Sequence, residues 1–250
     1  MNKLSKLLIK EKEIVVPGET LATGMEYLPS VGTYRKNDAI LANKLGIAVV
    51  DGKVIKIIPV SGAYHPKRND TIIAKVIDIS MSGWRVDTNC AYSAMLSMKD
   101  ATSDFIRKGE DLTKYFDIGE YMVCQITQVT SQNLVDVTLR GPGLKKLGKG
   151  RIIEVSPHKV PRIIGKQGSM VSLIKDHTNT RITVGQNGIV WIQGEPAGEI
   201  LAIKTIRMIE EQSHISGLTD KIKEYLEKNS LKVEGKKDEK QKSEDDQGEE

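Results

Sequence analysis

Two glycines three positions apart, Gly165 and Gly168, impose the tightest constraint on the fold. Apolar residues recur at helical spacing before them, from Val160, and after them, from Met170, which predicts a helix on each side. Two short helices joined by a four-residue turn leave backbone N–H groups without internal partners at a helix start, and such groups attract phosphate. The glycines allow positive φ and close approach of a polynucleotide backbone, and Lys166 adds a mobile charge. The stretch therefore predicts a phosphate-binding turn.

The order of strands and helices around this turn indicates the fold class to which it belongs. Patterning predicts strands over residues 151–156, 180–184 and 189–193, a G-Q-N-G turn at residues 185–188, and a longer helix from about 197 to 212. This β-α-α-β-β-α order, with I-I-G-K-Q-G between the first two helices, resembles a type I KH domain, a module that binds single-stranded nucleic acid. The alternative is an ordinary helix–turn–helix corner, which the flanking order disfavours.

The middle of the chain predicts a small barrel of OB type. Five strands are expected, with a long polar connection containing Arg107, Lys108 and Lys114 between the third and the fourth. The strands are predicted over residues 72–79, 83–87, 91–98, 121–129 and 133–139. The run K-V-I-D-I-S-M-S-G-W-R-V-D resembles the signature of an S1 RNA-binding domain. Its Trp84 has two interpretations of equal weight: it stacks on a nucleic-acid base, or it packs into the barrel or against another subunit.

Turn chemistry and composition predict the organisation of the two ends. Asp51-Gly52 between β-branched runs predicts a two-residue hairpin within a small β domain. The C-terminal end is rich in Lys, Glu, Asp and Gln and is expected to be disordered. We therefore expect a multidomain, β-rich chain: an N-terminal β domain (1–65), an S1-type OB-fold barrel (66–142), a KH domain (150–213) and a disordered charged tail (229–250).

Charge favours a polyanionic partner without demonstrating one. The formal net charge is +4, but residues 231–250 hold five Lys and eight acidic residues, which leaves +7 for the rest of the chain. Cys90 and Cys124 are expected to be buried thiols in a reducing compartment. No signal peptide or membrane span is recognisable, so we expect a cytoplasmic protein without membrane contact.

No pattern of residues predicts catalysis. The stretch from Gly143 to Lys149 resembles a phosphate-binding P-loop, but Gly150 stands where the magnesium-binding Ser or Thr is needed. The four histidines are scattered, and no nucleophile motif is present. We therefore predict a binding protein with no catalytic residue, no metal site and no cofactor.

Three motifs together resemble one family. V-V-P-G-E near the start, D-I-S-M-S-G-W in the barrel and I-I-G-K-Q-G in the KH-like part are similar to the RNA-binding cap subunits of the exosome, the S1–KH type found in archaea. The resemblance implies a non-catalytic subunit of a trimeric cap, sometimes mixed with a second cap protein. In that family the N-terminal domain docks on a ring of phosphorolytic RNase subunits, and the cap guides RNA 3′ ends inward.

The candidate RNA-binding residues lie in the barrel and in the KH-like part. They are Lys67, Arg68, Trp84, Arg85, Arg107, Lys108, Arg162, Gly165, Lys166, Gln167 and Gly168. Any one of the basic residues is also explained as a solvated surface charge. Two other functions remain open at this point: a free-standing single-stranded RNA-binding factor associated with translation or ribosomes, and a nuclease.

Overall fold

The computed structural model describes residues 5–10, 12–102, 106–107, 109–213, 215 and 217–229. The chain divides into two compact units, Met1–Gly62 and Ala63–Glu250. Most of the predicted tail falls on residues 230–250 and lies outside the described part of the chain. Among the described residues, no helix combines the length and the apolar content that crossing a membrane requires.

The N-terminal unit is built from two small sheets with one apolar core between them. The sheets have the strand orders β1-β3-β6-β5 and β2-β7-β8-β4. The strands are β1 (Lys6–Leu7), β2 (Ile14–Val15), β3 (Thr20–Thr23), β4 (Leu28–Pro29), β5 (Thr33–Lys36), β6 (Ala39–Ala42), β7 (Gly46–Asp51) and β8 (Val54–Pro59). Leu21 and Ile40 from one sheet meet Val15 and Ile55 from the other, and all four are fully buried. The predicted β domain is confirmed.

The hairpin of this unit differs from its prediction by one position. Asp51 pairs with Val54, so the two-residue loop consists of Gly52 and Lys53. Gly52 has φ +60°, a conformation that favours glycine. The Asp-Gly signal therefore located the hairpin, with Asp51 as the last residue of the strand.

The barrel closes through five strands. They are β9 (Thr71–Ser80), β10 (Gly83–Asp87), β11 (Ser93–Ser97), β12 (Tyr121–Val129) and β13 (Val135–Thr138). Neighbouring strands follow the order β13-β11-β10-β9-β12, and β12 pairs with β13 to complete the ring. The long connection between β11 and β12 contains α1 (Met98–Ala101) and a 3₁₀ turn at Leu112–Lys114. The predicted five-stranded barrel is confirmed.

Residues 141–150, which connect the barrel to the KH domain, are attached to the barrel. A short strand, β14 (Lys145–Lys146), pairs with β12, and Leu147 is buried. Of the two thiols, Cys124 is buried and Cys90 only partly so. Burial raises the pKa of Cys124 to about 12, which keeps this thiol protonated and inert.

The KH domain has the predicted order of elements. They are β15 (Arg151–Glu154), α2 (Val160–Ile164), α3 (Ser169–Thr178), β16 (Arg181–Val184), β17 (Ile189–Gln193) and α4 (Pro196–Glu211). The strands form an antiparallel sheet in the order β15-β17-β16, and apolar residues of the helices pack with those of the sheet in one cluster. The predicted KH topology is confirmed.

A further helix over residues 218–229 completes the KH core. Leu218, Ile222 and Leu226 are fully buried and belong to the same apolar cluster as the sheet and the helices α2 to α4. Their spacing puts them on one face of the helix. The KH fold of this chain therefore depends on residues beyond the six elements that define its topology.

Replacing Ile222 by Ala should lower the free energy of unfolding by roughly 2–4 kcal/mol, because the buried side chain leaves a cavity against the KH core. Urea unfolding of the full chain followed by circular dichroism measures the change. Lys223→Ala is the matched control, since Lys223 is exposed and forms only a long ion pair with Glu227. A similar small effect of both changes would show that the helix does not contribute to the core.

Candidate nucleic-acid interface

The Gly-x-x-Gly turn forms a compact link between α2 and α3. The N–H of Gly165 donates to Pro161 O at 3.0 Å, and that of Gly168 donates to Gly165 O at 3.3 Å. A Cβ on Gly165 would lie 2.7 Å from the backbone N of Met170, so only glycine fits there. Two of the predicted phosphate donors are thus engaged inside the turn. The exposed pair Lys166 and Gln167 is the part of the turn that faces solvent.

Gln167 holds a conformation that is unusual for a residue with a side chain. Its φ of 54° and ψ of 28° lie in the left-handed region, next to Gly168 at φ 82°. Such a conformation costs a non-glycine residue on the order of 1 kcal/mol. Backbone strain of this kind concentrates at ligand-contacting turns, where the surrounding structure imposes it.

Basic residues predominate on the segment that contains this turn. Residues 157–181 hold five Lys or Arg and one acidic residue, Asp176. Arg162 is exposed and its Nη2 donates to Ile215 O at 3.0 Å, while Lys166 is exposed in the turn itself. This balance creates a positive local potential that favours a phosphate chain.

A second group of exposed cations lies on the barrel. Lys67 and Arg68 occupy the turn before β9, which the N–H of Asp70 closes by donating to Lys67 O at 3.2 Å. The Tyr64 hydroxyl donates to Asp70 Oδ2 at 2.7 Å and so anchors this turn. Burial and the adjacent carboxylate raise the pKa of Tyr64, which keeps its hydroxyl protonated as the donor.

Two further barrel cations are also exposed. The Nη1 atom of Arg85 lies 3.9 Å from Asp78 Oδ2 on β9, and both side chains are more than half exposed. An ion pair of this kind is weak in water, so Asp78 does not prevent Arg85 from contacting a phosphate. Arg107 is exposed on the connection between β11 and β12. Lys108, predicted beside it, lies outside the described residues.

Trp84 does not lie where the base-stacking interpretation requires. Its side chain is 0% exposed, and its Nε1–H donates to Phe116 O at 2.9 Å. The Phe116 ring meets it edge-on, with 5.5 Å between the ring centroids. Both faces of Trp84 are covered by the barrel core, so the alternative of packing inside the barrel is the one the structure shows. The assignment of Trp84 to RNA contact is corrected accordingly.

One buried amide ties the KH domain to the barrel. Asn187, in the turn between β16 and β17, is 0% exposed. Its Nδ2 donates to Ile73 O at 2.8 Å and to Thr88 O at 2.9 Å, and its Oδ1 accepts from Ile73 N at 3.3 Å. The Gln186 N–H adds a bond to Thr71 O at 2.9 Å. The sequence pattern of this G-Q-N-G segment predicts only a turn between two strands.

An apolar cluster surrounds this amide and completes the junction. It combines Ile73 and Val123 of the barrel, Leu147 of the connecting segment, and Ile189 and Trp191 of the KH sheet. The Trp191 Nε1–H donates to Gly148 O at 3.2 Å, so its polar atom is satisfied. These contacts pack the connecting segment and the KH sheet against the barrel, so the exposed cations of both modules belong to one compact unit.

A shallow depression on the barrel has the wrong charge for phosphate. Its volume is about 420 Å³, and it lies beside β11, β12 and β13. Two carboxylates, Asp100 and Asp136, line it without a basic residue. Among the residues that the structure describes, no three His, Cys, Asp or Glu side chains are grouped so that they could hold a metal ion.

The barrel and the KH domain together define the class: a two-module protein in which an OB-type barrel is fixed to a KH domain. A family model described as KH domain matches residues 150–208. The chain is 40% identical over 229 residues to the exosome complex component Rrp4 of Methanobrevibacter smithii, covering 92% of this chain and 74% of the relative. Identity to the exosome complex component Rrp4 of Thermococcus kodakarensis is 40% over 227 residues, which cover 89% and 88%.

A solved structure agrees with these relatives. A crystal structure described as that of an exosome complex RNA-binding protein superposes with a TM-score of 0.62 at 28% identity, covering 69% of this chain and 99% of that one. The chain belongs to the family of the archaeal exosome complex component Rrp4. The resemblance inferred from the three sequence motifs is confirmed.

Replacing Asn187 by Ala should lower the free energy of unfolding by about 2–4 kcal/mol, because Ile73 and Thr88 would keep buried backbone groups without partners. Chemical unfolding monitored by Trp fluorescence measures this. Gln186→Ala is the control, since that neighbouring side chain is exposed and its backbone bond is retained. Equal stability of the two variants would refute the role given to Asn187.

Replacing Gln167 by Gly should raise the free energy of unfolding by about 0.5–1 kcal/mol, because relief of the left-handed strain exceeds the entropic cost of glycine. The neighbouring change Lys166→Gly should have the opposite sign, since Lys166 does not have a positive φ. Thermal unfolding of the two variants and the unchanged chain gives both values. A loss of stability with Gln167→Gly would show that the left-handed backbone conformation of Gln167 is not strained.

Proposed function

We propose that this chain is a non-catalytic RNA-binding subunit of the exosome, which recruits RNA and guides its 3′ ends into a phosphorolytic RNase ring for 3′→5′ degradation. The observation that carries the proposal is the rigid junction at Asn187, which fixes two groups of exposed cations in one body. Membership in the Rrp4 family supports the assignment to the exosome. Bond cleavage is left to the ring subunits.

The proposed binding of RNA is electrostatic and does not depend on the RNA sequence. Lys67, Arg68, Arg85 and Arg107 contact phosphates on the barrel side, and the turn from Gly165 to Gly168, with Arg162 and Lys166, does so on the KH side. Phosphate contacts position a nucleic acid without reading its bases. Since Trp84 is buried and aromatic residues make up only 4% of the chain, charge contributes more than stacking.

The proposed partners follow from the family. Single-stranded RNA is the ligand, and the phosphorolytic ring is the protein partner, on which the N-terminal unit docks. The chain forms a trimeric cap in the cytoplasm, alone or mixed with a second cap protein. Relatives described as exosome complex components support this assignment.

Reversing two charges should weaken RNA binding strongly. The double change Lys166→Glu and Arg107→Glu removes one contact in each module, and we expect at least a tenfold loss of affinity for single-stranded RNA. The log–log salt dependence should become less steep by roughly 0.7 for each lost phosphate contact. Fluorescence anisotropy titrations of the full chain at several salt concentrations measure both quantities.

The control pair Lys44→Glu and Lys53→Glu carries the same change of net charge on exposed residues of the N-terminal unit. It should retain affinity within about threefold. An unchanged affinity of the first pair would remove both sites from the proposal. Incubation of the purified chain with RNA, Mg²⁺ and phosphate should leave the RNA at full length, and shortened products would contradict the non-catalytic role.

A further inference from the structure

The turn that joins the KH domain to the barrel contains a chemically labile dipeptide. Asn187 is the one asparagine in the sequence that a glycine follows. Glycine has no Cβ to shield its backbone nitrogen, which leaves the side-chain carbonyl carbon of Asn187 open to attack by the nitrogen of Gly188. Residues 187 and 188 are therefore the position at which this chain loses a side-chain amide most readily once the turn is free to move.

The fold requires both residues of this dipeptide, for separate reasons. Asn187 supplies the two donors and the acceptor that bind the barrel backbone at Ile73 and Thr88. Gly188 has φ +84°, and a Cβ on it would overlap the carbonyl oxygen of Val155, whose N–H donates to Gly188 O at 2.8 Å. A residue with a side chain does not fit at position 188, so the fold itself imposes the labile pair.

The closed junction holds every group that the loss of the amide requires. The Gly188 N–H, which carries the attacking nitrogen, donates to Gly185 O at 3.1 Å. The leaving group, Asn187 Nδ2, donates to Ile73 O at 2.8 Å and to Thr88 O at 2.9 Å. Asn187 is 0% exposed, so water does not reach its carbonyl carbon. The amide is therefore protected as long as the junction is closed.

Opening of the junction removes this protection without unfolding the KH domain. The side-chain bonds of Asn187 lead to the barrel, whereas the hairpin that carries it is closed within the KH sheet, where the Gly185 N–H donates to Ile189 O at 2.8 Å. Local openings of this kind cost less free energy than global unfolding. When opening and reclosing are faster than the reaction, the reaction rate follows the equilibrium population of the open form.

We propose that Asn187 is a site of spontaneous deamidation, that opening of the junction between the barrel and the KH domain sets its rate, and that the product keeps the junction open. The Gly188 nitrogen attacks Asn187 Cγ, and the new N–C bond closes a five-membered imide. Nδ2 leaves as ammonia and takes up the proton that the Gly188 nitrogen loses. One water molecule then opens the imide and leaves an aspartate or an isoaspartate at position 187.

The product cannot restore the bonds of the closed junction. An ionised carboxylate only accepts hydrogen bonds, whereas the carbonyl oxygens of Ile73 and Thr88 need donors. A buried charge without a partner costs more free energy than the lost bonds alone. Isoaspartate also adds a methylene group to the backbone of the turn, which displaces Gly188 from Val155. A chain that has reacted therefore carries a permanent record that its junction opened.

The test follows residue 187 by peptide mass spectrometry in the full chain, incubated at one pH and temperature with and without guanidinium chloride. The junction variant is Leu147→Ala, which removes a side chain from the apolar cluster around the junction. The control is Ile222→Ala, which removes one from the separate cluster of the KH core. Circular dichroism shows that each variant folds, and Val123→Ala replaces Leu147→Ala if that variant does not.

In the folded, unchanged chain Asn187 should deamidate at least tenfold more slowly than in the denatured chain. Leu147→Ala should raise the rate at least fivefold, and Ile222→Ala should leave it within twofold. Equal rates in the folded and the denatured chain would show that the junction gives no protection, and so would a denatured chain that does not react at Asn187. Equal rates in the two variants, or no acceleration by the junction variant, would show that opening of the junction does not set the rate. Each of these results would overturn the proposal.

The effect of the product is tested with Asn187→Asp, which supplies the aspartate directly. The Gln186 N–H donates to Thr71 O at 2.9 Å across the junction, so its hydrogen exchange reports on opening. Exchange of this amide, measured by nuclear magnetic resonance, should be at least tenfold faster in Asn187→Asp than in the unchanged chain. Unchanged exchange would show that the junction closes around the carboxylate and would refute this part of the proposal.

Discussion

A single carboxamide, that of Asn187, is the contact on which the arrangement of the larger unit depends. A buried backbone carbonyl or N–H must find a partner, and the Asn187 side chain offers two donors and one acceptor to Ile73 and Thr88 of the barrel. Apolar burial around Trp191 supplies attraction without direction. The hydrogen bonds supply direction, so the KH sheet and the barrel have one relative orientation.

This orientation has a consequence for the proposed binding of RNA. The exposed cations of the barrel and those near the Gly-x-x-Gly turn belong to one rigid body, so a bound strand does not have to order two independent modules. The one tryptophan of the barrel is used inside its core, against Phe116. Under the proposed function, a polyanion held by spaced charges slides where no base is anchored, and sliding suits the proposed passage of RNA to the ring.

Local patterns predicted the elements well, because each has its own periodicity. The bounds of Tyr121–Val129 and Ile189–Gln193 agree with the sequence prediction, since both strands are continuous apolar or alternating runs. The burial of Trp84 is also predictable from the sequence. Trp84 and Val86 share one face of β10, and the charged Arg85 and Asp87 share the other. That alternation favours burial of Trp84, one of the two interpretations that the sequence allows.

Asn187 carried no such signal. Its partners lie about a hundred positions earlier in the chain, and a G-Q-N-G segment is explained completely by the turn that it makes. A row of three isoleucines on the outer face of one N-terminal sheet is hidden from the sequence for a related reason. Ile14, Ile47 and Ile58 are far apart in sequence and become a row only when the register of three strands is known. Local periodicity specifies elements, whereas contacts between elements require the tertiary structure.

Residual dipolar couplings of backbone amides test most directly whether the barrel and the KH domain form one body. Couplings would be measured for the described strands β9 to β13 and β15 to β17 of the full chain in a weakly aligning medium. The structure predicts that a single alignment tensor fits both sets. Two tensors of different magnitude or orientation would show that the modules move independently, and would contradict the role of the Asn187 junction.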